Sequence, residues 1–269
     1  MTITTRDQLI DALANNSSRI VIDKASLANA VAGQTFSLWR ATGVPGQGAI
    51  PTTAAICTSA LTGCFGFANQ TAPVTSYLAW LWLATGNATT NIEIHDRLAH
   101  MGGLSGTVTT AQGALTLAGL SSDRLGDANY SDVQWWLEWY ADTGSTNVNA
   151  TANVTYNDDT TGNLAGVALG ATARTARLFP LVSAVAGKFI KAVNSVTLSA
   201  TTGTAGNFGI TATRPRTVVA TAIANKIEQY DWAALGLVEV PNDACLFPIM
   251  LCSTTSTGTV RGGGKIAHG

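Results

Sequence analysis

Residues 127–145 (DANYSDVQWWLEWYADTGS) carry the sharpest alternation in the chain. At a period of two, Val133, Trp135, Leu137 and Trp139 share one face, and Gln134, Trp136, Glu138 and Tyr140 share the other. Large aromatics alternating in this way mark a strand on a half-buried sheet surface. A helical period would also pair Trp135 with Trp139 and Trp136 with Tyr140. Aromatic enrichment and the Asp142-Thr143-Gly144 turn that follows favour the strand. Each buried aromatic withdraws roughly 150–250 Å² from water, so Trp135, Trp136, Trp139 and Tyr140 are expected to anchor the core. A stacking platform for sugars or bases is the alternative, but no basic residue is interleaved with these rings, as a nucleic-acid platform requires.

The same reading extends along the chain. Residues 5–14 predict an amphipathic helix capped by Thr4 or Thr5, with Asp7 in its first turn and a stripe of Leu9, Ile10 and Leu13. Alone it would be marginal in water, so the stripe must dock on something. Strands are expected at residues 19–22, 33–40, 77–84, 149–156, 164–169, 176–182, 189–199, 207–213, 235–240 and 245–252. Asp158-Asp159 falls at a hairpin tip, and Pro180 marks an edge or bulge. Residues 221–231 predict one short helix. Short strands at this spacing predict a mainly all-β fold, an antiparallel β-sandwich or jelly-roll-like core with a short N-terminal helix and extended terminal arms. The expected division is an N-terminal helix and arm (1–45), a β-sandwich core (46–252) and a Gly-rich tail (253–269) that orders on a partner or frays.

Composition narrows the function classes. The chain has 269 residues, a formal net charge of -1 and 12% charged residues, about half the usual charged share. Such a surface suits close protein–protein contact and lacks the electrostatic footprint of a general nucleic-acid binder. The most apolar window, residues 76–84, is far short of the roughly 20 residues a bilayer span needs. The N-terminus has acids and no apolar h-region, so no signal peptide is expected and folding in a cytoplasm is.

Candidate chemistry is sparse. Cys57/Cys64 and Cys245/Cys252 form two local pairs whose spacing is too long for the usual zinc motifs, with no histidine close in sequence. Buried free thiols, or disulfides within or between the pairs, are the open readings. His95, Asp96 and His100 suggest a metal, yet the i, i+5 spacing parts the imidazoles, and Asp96 is expected to pair with Arg97 or Arg124. No metal or cofactor is expected. The loop at residues 42–51 lacks the Gly-Lys-Ser/Thr ending of a nucleotide site. No G-x-S-x-G elbow accompanies the histidines. Arg174, Arg177, Lys188, Lys191, Arg214 and Arg216 fall in one region and could form a charged patch, with Arg214-Pro215-Arg216 meeting acids on a neighbouring subunit. The expectation is a non-enzyme.

The runs at residues 95–106 (HDRLAHMGGLSG) and 130–140 (YSDVQWWLEWY) resemble segments of virion structural proteins of tailed bacteriophages. The abundance of Thr, Ala and Gly and the scarcity of charge are similar in manner. The resemblance implies a β-sandwich subunit repeated in many symmetric copies on a particle, as head decoration or at the collar or tail. Its implied partners are itself, as a homo-oligomer such as a trimer, and other capsid or tail proteins, with no direct contact to nucleic acid or membrane. Its implied location is the virion. Low net charge suits a repeated subunit, whose self-repulsion is multiplied by copy number, and a released particle would meet oxidising surroundings in which the cysteines could bridge. The other reading is a carbohydrate- or receptor-binding β-sandwich using Trp135, Trp136 or Trp39, which would have to lie flat on the surface. A small hydrolase would need His95 or His100 brought to a carboxylate in a cleft.

Overall fold

The computed structural model describes residues 3–27 and 30–269. Helix α1 (Arg6–Asn15) leads into β1 (Ser17–Lys24), followed by β2 (Thr35–Ser37), a 3-10 turn at Leu38–Arg40, β3 (Gly43–Val44) and β4 (Ala55–Ile56). The long strands β5 (Ser76–Thr85) and β6 (Thr90–Leu104) precede β7 (Leu115–Thr116), α2 (Ser122–Leu125) and β8 (Gln134–Ala141). A run of strands follows: β9 (Asn149–Tyr156), β10 (Thr161–Asn163), β11 (Val167–Ala168), β12 (Arg177–Leu181), β13 (Ile190–Leu198) and β14 (Asn207–Thr221). The chain ends through β15 (Glu228–Asp231), β16 (Val238–Val240), β17 (Leu246–Leu251) and β18 (Val260–His268). The fold is mainly β with antiparallel sheets, as the alternation predicted.

Three sheets divide the work. The first has the order β15-β5-β18-β1-β3, with β16 also on β5. The second has the order β10-β9-β13-β7, with β11 on β9. In the third, β14-β8-β12-β2-β17-β6, the last strand pairs back to β14, so six strands close into a ring, and β4 lies on β6 beyond the end of β17. Closure leaves none of the six ring strands as a terminal edge strand, although unpaired stretches remain. One core lies between the ring and the first sheet, where Ile20, Ile22, Leu78 and Leu83 meet Ile92, Ile94, Val219 and Met250. Another lies between the ring and the second sheet, where Ala150, Val154, Val193 and Val196 meet Trp135, Leu137, Trp139 and Phe208. Trp139 stacks on Phe208, with ring centroids 4.7 Å apart and planes at 9°, and meets Phe179 edge-on at 5.0 Å.

The termini are woven into the fold rather than extended as arms. Thr5 caps α1 through a capping box, its hydroxyl accepting from the Gln8 amide while the Gln8 side chain accepts from the Thr5 amide. Leu9 and Ala12 are buried on Ala79 and Ala267, so the helix docks on its own chain and leaves Ile10 outside. The expected Gly-rich tail is, over Val260–His268, a central strand between β5 and β1. Its glycines are what allow this: a Cβ at Gly262 or Gly264 would strike the carbonyl of Trp82 or Trp80 on β5. His268 closes the seam, its two ring nitrogens each 2.8 Å from a hydroxyl, Ser76 on β5 and Ser18 on β1. The division at residues 45 and 252 therefore does not correspond to separable units.

A second correction concerns residues 221–231, expected as a helix. Glu228–Asp231 is instead a strand on Trp80–Leu83 of β5, and Tyr230 reaches back to the Ala220 backbone. Tertiary pairing overrides a weak local helix preference. The expected edge character of Pro180 is seen directly, since at that position β12 pairs only with β8.

Candidate functional site

The face of β8 that carries Trp136, Glu138 and Tyr140 looks into the closed ring. Glu138 Oε2 accepts from Arg97 Nη2 at 2.6 Å, from Thr211 Oγ1 at 2.5 Å and from the Tyr140 hydroxyl at 3.2 Å. Arg97 also donates from Nη2 to the Tyr140 hydroxyl at 2.8 Å and from Nε to His100 Nδ1 at 3.0 Å. Its guanidinium carbon lies 4.5 Å from the Trp39 ring centroid and 5.2 Å from that of Phe247, so aromatic faces complete its surroundings. Arg97 and Glu138 are both fully buried. Burial alone would lower the Arg97 pKa, but the Glu138 carboxylate beside it holds it above the ordinary value. Burial would likewise raise the Glu138 carboxyl, but the Arg97 charge and hydrogen bonds hold it below the usual carboxylate range. Tyr140 is pushed well up by burial and by Glu138.

Trp39 seals one side of this interior. It follows β2 in the 3-10 turn, donates from its indole nitrogen to the Ala49 carbonyl at 3.0 Å, and lies between Gly48 and Gly63, where a Cβ would collide with its ring. Beside it, Asp96 is paired with Arg124 as expected, through Oδ2 to Nε at 2.9 Å and Oδ1 to Nη2 at 2.6 Å. Arg124 also donates to the carbonyls of Cys57 and Arg97, and the Cys245 amide donates to Asp96, which ties β4, β6 and β17 at one junction.

The cysteines are four buried free thiols, grouped otherwise than by the sequence pairs. Cys57, Cys64 and Cys245 share the aromatic cluster of Trp39, Trp136 and Phe247, whereas Cys252 lies in the core against the first sheet. Cys57 contacts both Cys245 and His100, and Cys64 contacts Cys245. Burial opposes ionisation of Cys57, but those contacts and the charge of Arg97 draw its thiol down, while burial and the neighbouring thiols push Cys245 up. Among the described residues, no group of three or more His, Cys, Asp or Glu side chains is arranged to hold a metal ion. His95 is buried between Glu93 at 2.7 Å and Thr213 at 3.0 Å.

Of the aromatic run, Trp135 and Trp139 lie in the core against the second sheet, Trp136 and Tyr140 inside the ring. Trp135 is 2% exposed, Trp136 9% and Trp39 1%, so none offers the flat face a sugar platform needs. The basic residues do not form one patch. Lys188 and Lys191 pair with Asp158 and Asp159 at the hairpin tip, Arg174 is buried against backbone carbonyls, and Arg177 reaches Thr172. The Arg97–Glu138 pair was not foreseen. A carboxylate among inward-facing aromatics signalled that a cation was required, but not which one.

Concavities open at the surface. One, of about 470 Å³, is an apolar groove between β12 and β13 whose lining includes Val182, Val185, Leu181 and Ile190, with Val182 68% exposed. Another, of about 460 Å³, is a polar cleft with Arg214 and Arg216 in its wall. Among the described residues, no helix is long and apolar enough to cross a membrane.

No family model and no curated protein matches the chain. Among solved structures, it is similar to a particle structure of infectious bursal disease virus strain Gt, at 10% identity, with a TM-score of 0.19 over 97% of this chain and 86% of that one. The VP2 subviral particle of the same virus is similar at 11% identity and a TM-score of 0.18, over 94% and 80% of the two chains. Likenesses of this size define no family.

Proposed function

We propose that the chain is a non-enzymatic structural subunit of a virion, of the tailed-phage kind, present in many copies as a head-decoration or collar and tail component. The observation that carries this reading is the disposition of its chemistry. Arg97, Glu138 and His95 are sealed in the ring at no more than 1% exposure and are engaged with one another or with strand hydroxyls. A general acid or base must reach the proton it transfers, and these groups are spent on cohesion. The surface instead presents apolar side chains, with Val182, Val185, Val218, Ile223 and Ile227 each more than half exposed. The two runs that resemble virion proteins are β6 and the β8 region, the strands that flank β14 in the closed sheet. The partner this supports first is a second copy of the chain.

Light scattering on the purified chain across a concentration series tests it. The expected result is a discrete oligomer, with the native mass falling toward one chain in a Val182→Asp/Val185→Asp variant that keeps its unfolding transition. A monomer at every concentration, together with failure to co-sediment with particles that lack the protein, overturns the reading.

A further inference from the structure

The polar cleft has the construction of an anion site. Along β14, Arg214 pairs with Asp96, Pro215 with His95 and Thr217 with Ile94, so Arg216 is the extra residue of a β-bulge. A bulge re-aims the side chain it inserts, and here Arg214 and Arg216 line one cleft with Ser131, Asp132 and Gln134.

The two guanidiniums are unequally served. Arg214 donates to the Asp123 carbonyl at 2.9 Å and to Asp132 Oδ2 at 3.2 Å. Arg216 donates to the Glu239 carbonyl, and its Nε is buried with no hydrogen-bond partner. Among the described residues, Arg216 forms no salt bridge. Burial, followed by the like charge of Arg214, pushes Arg216 down to about 10. A partly desolvated guanidinium whose Nε is unpartnered, beside a second guanidinium, is costly unless an acceptor arrives. The planar fork of arginine matches the paired oxygens of a phosphate or carboxylate.

We propose that this cleft binds a small oxyanion, a phosphate or carboxylate group, between Arg216 and Arg214, with Gln134 and Ser131 as neutral donors at its rim. Asp132 holds Arg214 in place and leaves the charge of Arg216 for the ligand. The site stands apart from the virion reading and survives its failure.

The test uses the full chain and inorganic phosphate, with sodium chloride at matched ionic strength as the control. Phenylglyoxal labels arginine, and peptide mass spectrometry follows each site. The expected result is rapid labelling of Arg216, slowed at least fivefold by saturating phosphate, with Arg6 and Arg19 unaffected. Calorimetric titration should show saturable binding of one phosphate per chain, weakened at least tenfold by Arg216→Gln and unchanged by Arg19→Gln. Labelling that phosphate does not slow beyond chloride, or equal affinity in Arg216→Gln, overturns the proposal. Labelling reads the unaltered protein, so it decides the matter even where the variant fails to fold. Light scattering separates the sources: native mass that falls as phosphate rises identifies a carboxylate of a second copy as the occupant, and unchanged mass identifies a free anion.

Discussion

Strand β8 faces two interiors that cohere by different means. On one side Trp135, Leu137 and Trp139 pack into an apolar core where Trp139 stacks on Phe208. On the other, Trp136, Glu138 and Tyr140 enter the closed ring and meet a buried arginine. The apolar side is held by area removed from water and by ring packing, and what it loses grows with the volume removed. The ionic side works by compensation: the pair adds little over an apolar replacement of equal shape, yet removing one member leaves a charge in a medium that cannot solvate it. One strand therefore shows which losses are graded and which are all-or-none.

The largest effects separate the two sides. Glu138→Leu should cost about 3–5 kcal/mol by stranding Arg97. Trp139→Ala should cost a similar amount, about 3–5 kcal/mol, by opening a cavity beside Phe208 and Phe179. Urea unfolding measures both. The variants part when the volume is restored, because Trp139→Phe should recover much of the loss while Glu138→Gln, which keeps shape but not charge, should not.

Acid sharpens the contrast. Glu138 titrates lower in the folded chain than its ordinary 4.5. The unfolded chain therefore takes up the proton first as pH falls, and the stabilisation present above that value is lost as pH drops through the folded pKa. Trp139→Ala should retain this acid dependence, and Glu138→Gln should flatten it. Unfolding midpoints measured from pH 6 to pH 3 provide the check.

Smaller effects lie at the periphery. Thr5→Ala removes the hydroxyl half of the capping box and should cost about 1 kcal/mol, read as a lowered thermal midpoint. The exposed Lys191–Asp159 pair at the hairpin tip should be silent, since such pairs are weak and screened by salt. Lys191→Ala that moves the midpoint as far as Thr5→Ala would contradict the ranking.

What the sequence disclosed follows from the range of each interaction. The period-two pattern of residues 133–140 and the cap of α1 are local, and both were legible. Asp96 with Arg124 was within reach because an acid beside two histidines needed a cation. Ring closure was not legible, since the β14–β6 pairing joins residues more than a hundred positions apart and leaves no local trace. The C-terminal strand was misread for a related reason: glycine lowers intrinsic strand preference, and only the Trp80 and Trp82 carbonyls on β5 explain why Gly262 and Gly264 are needed there. Of the two local cysteine pairs, Cys57 and Cys64 stay together and are joined by Cys245 from a distant segment, whereas Cys252 lies in another core.

If the charged interior of the ring is a packing device, Arg97 and Glu138 should be replaceable together though not singly. A double-mutant cycle of Arg97→Met, Glu138→Leu and the pair together, each measured by urea unfolding and by native mass, reads this out. Both single variants should be strongly destabilised, the double variant should return to within about 1–2 kcal/mol of the parent, and its oligomeric mass should be unchanged. A double variant as unstable as the sum of the two singles, or one that is stable but no longer associates, would contradict it.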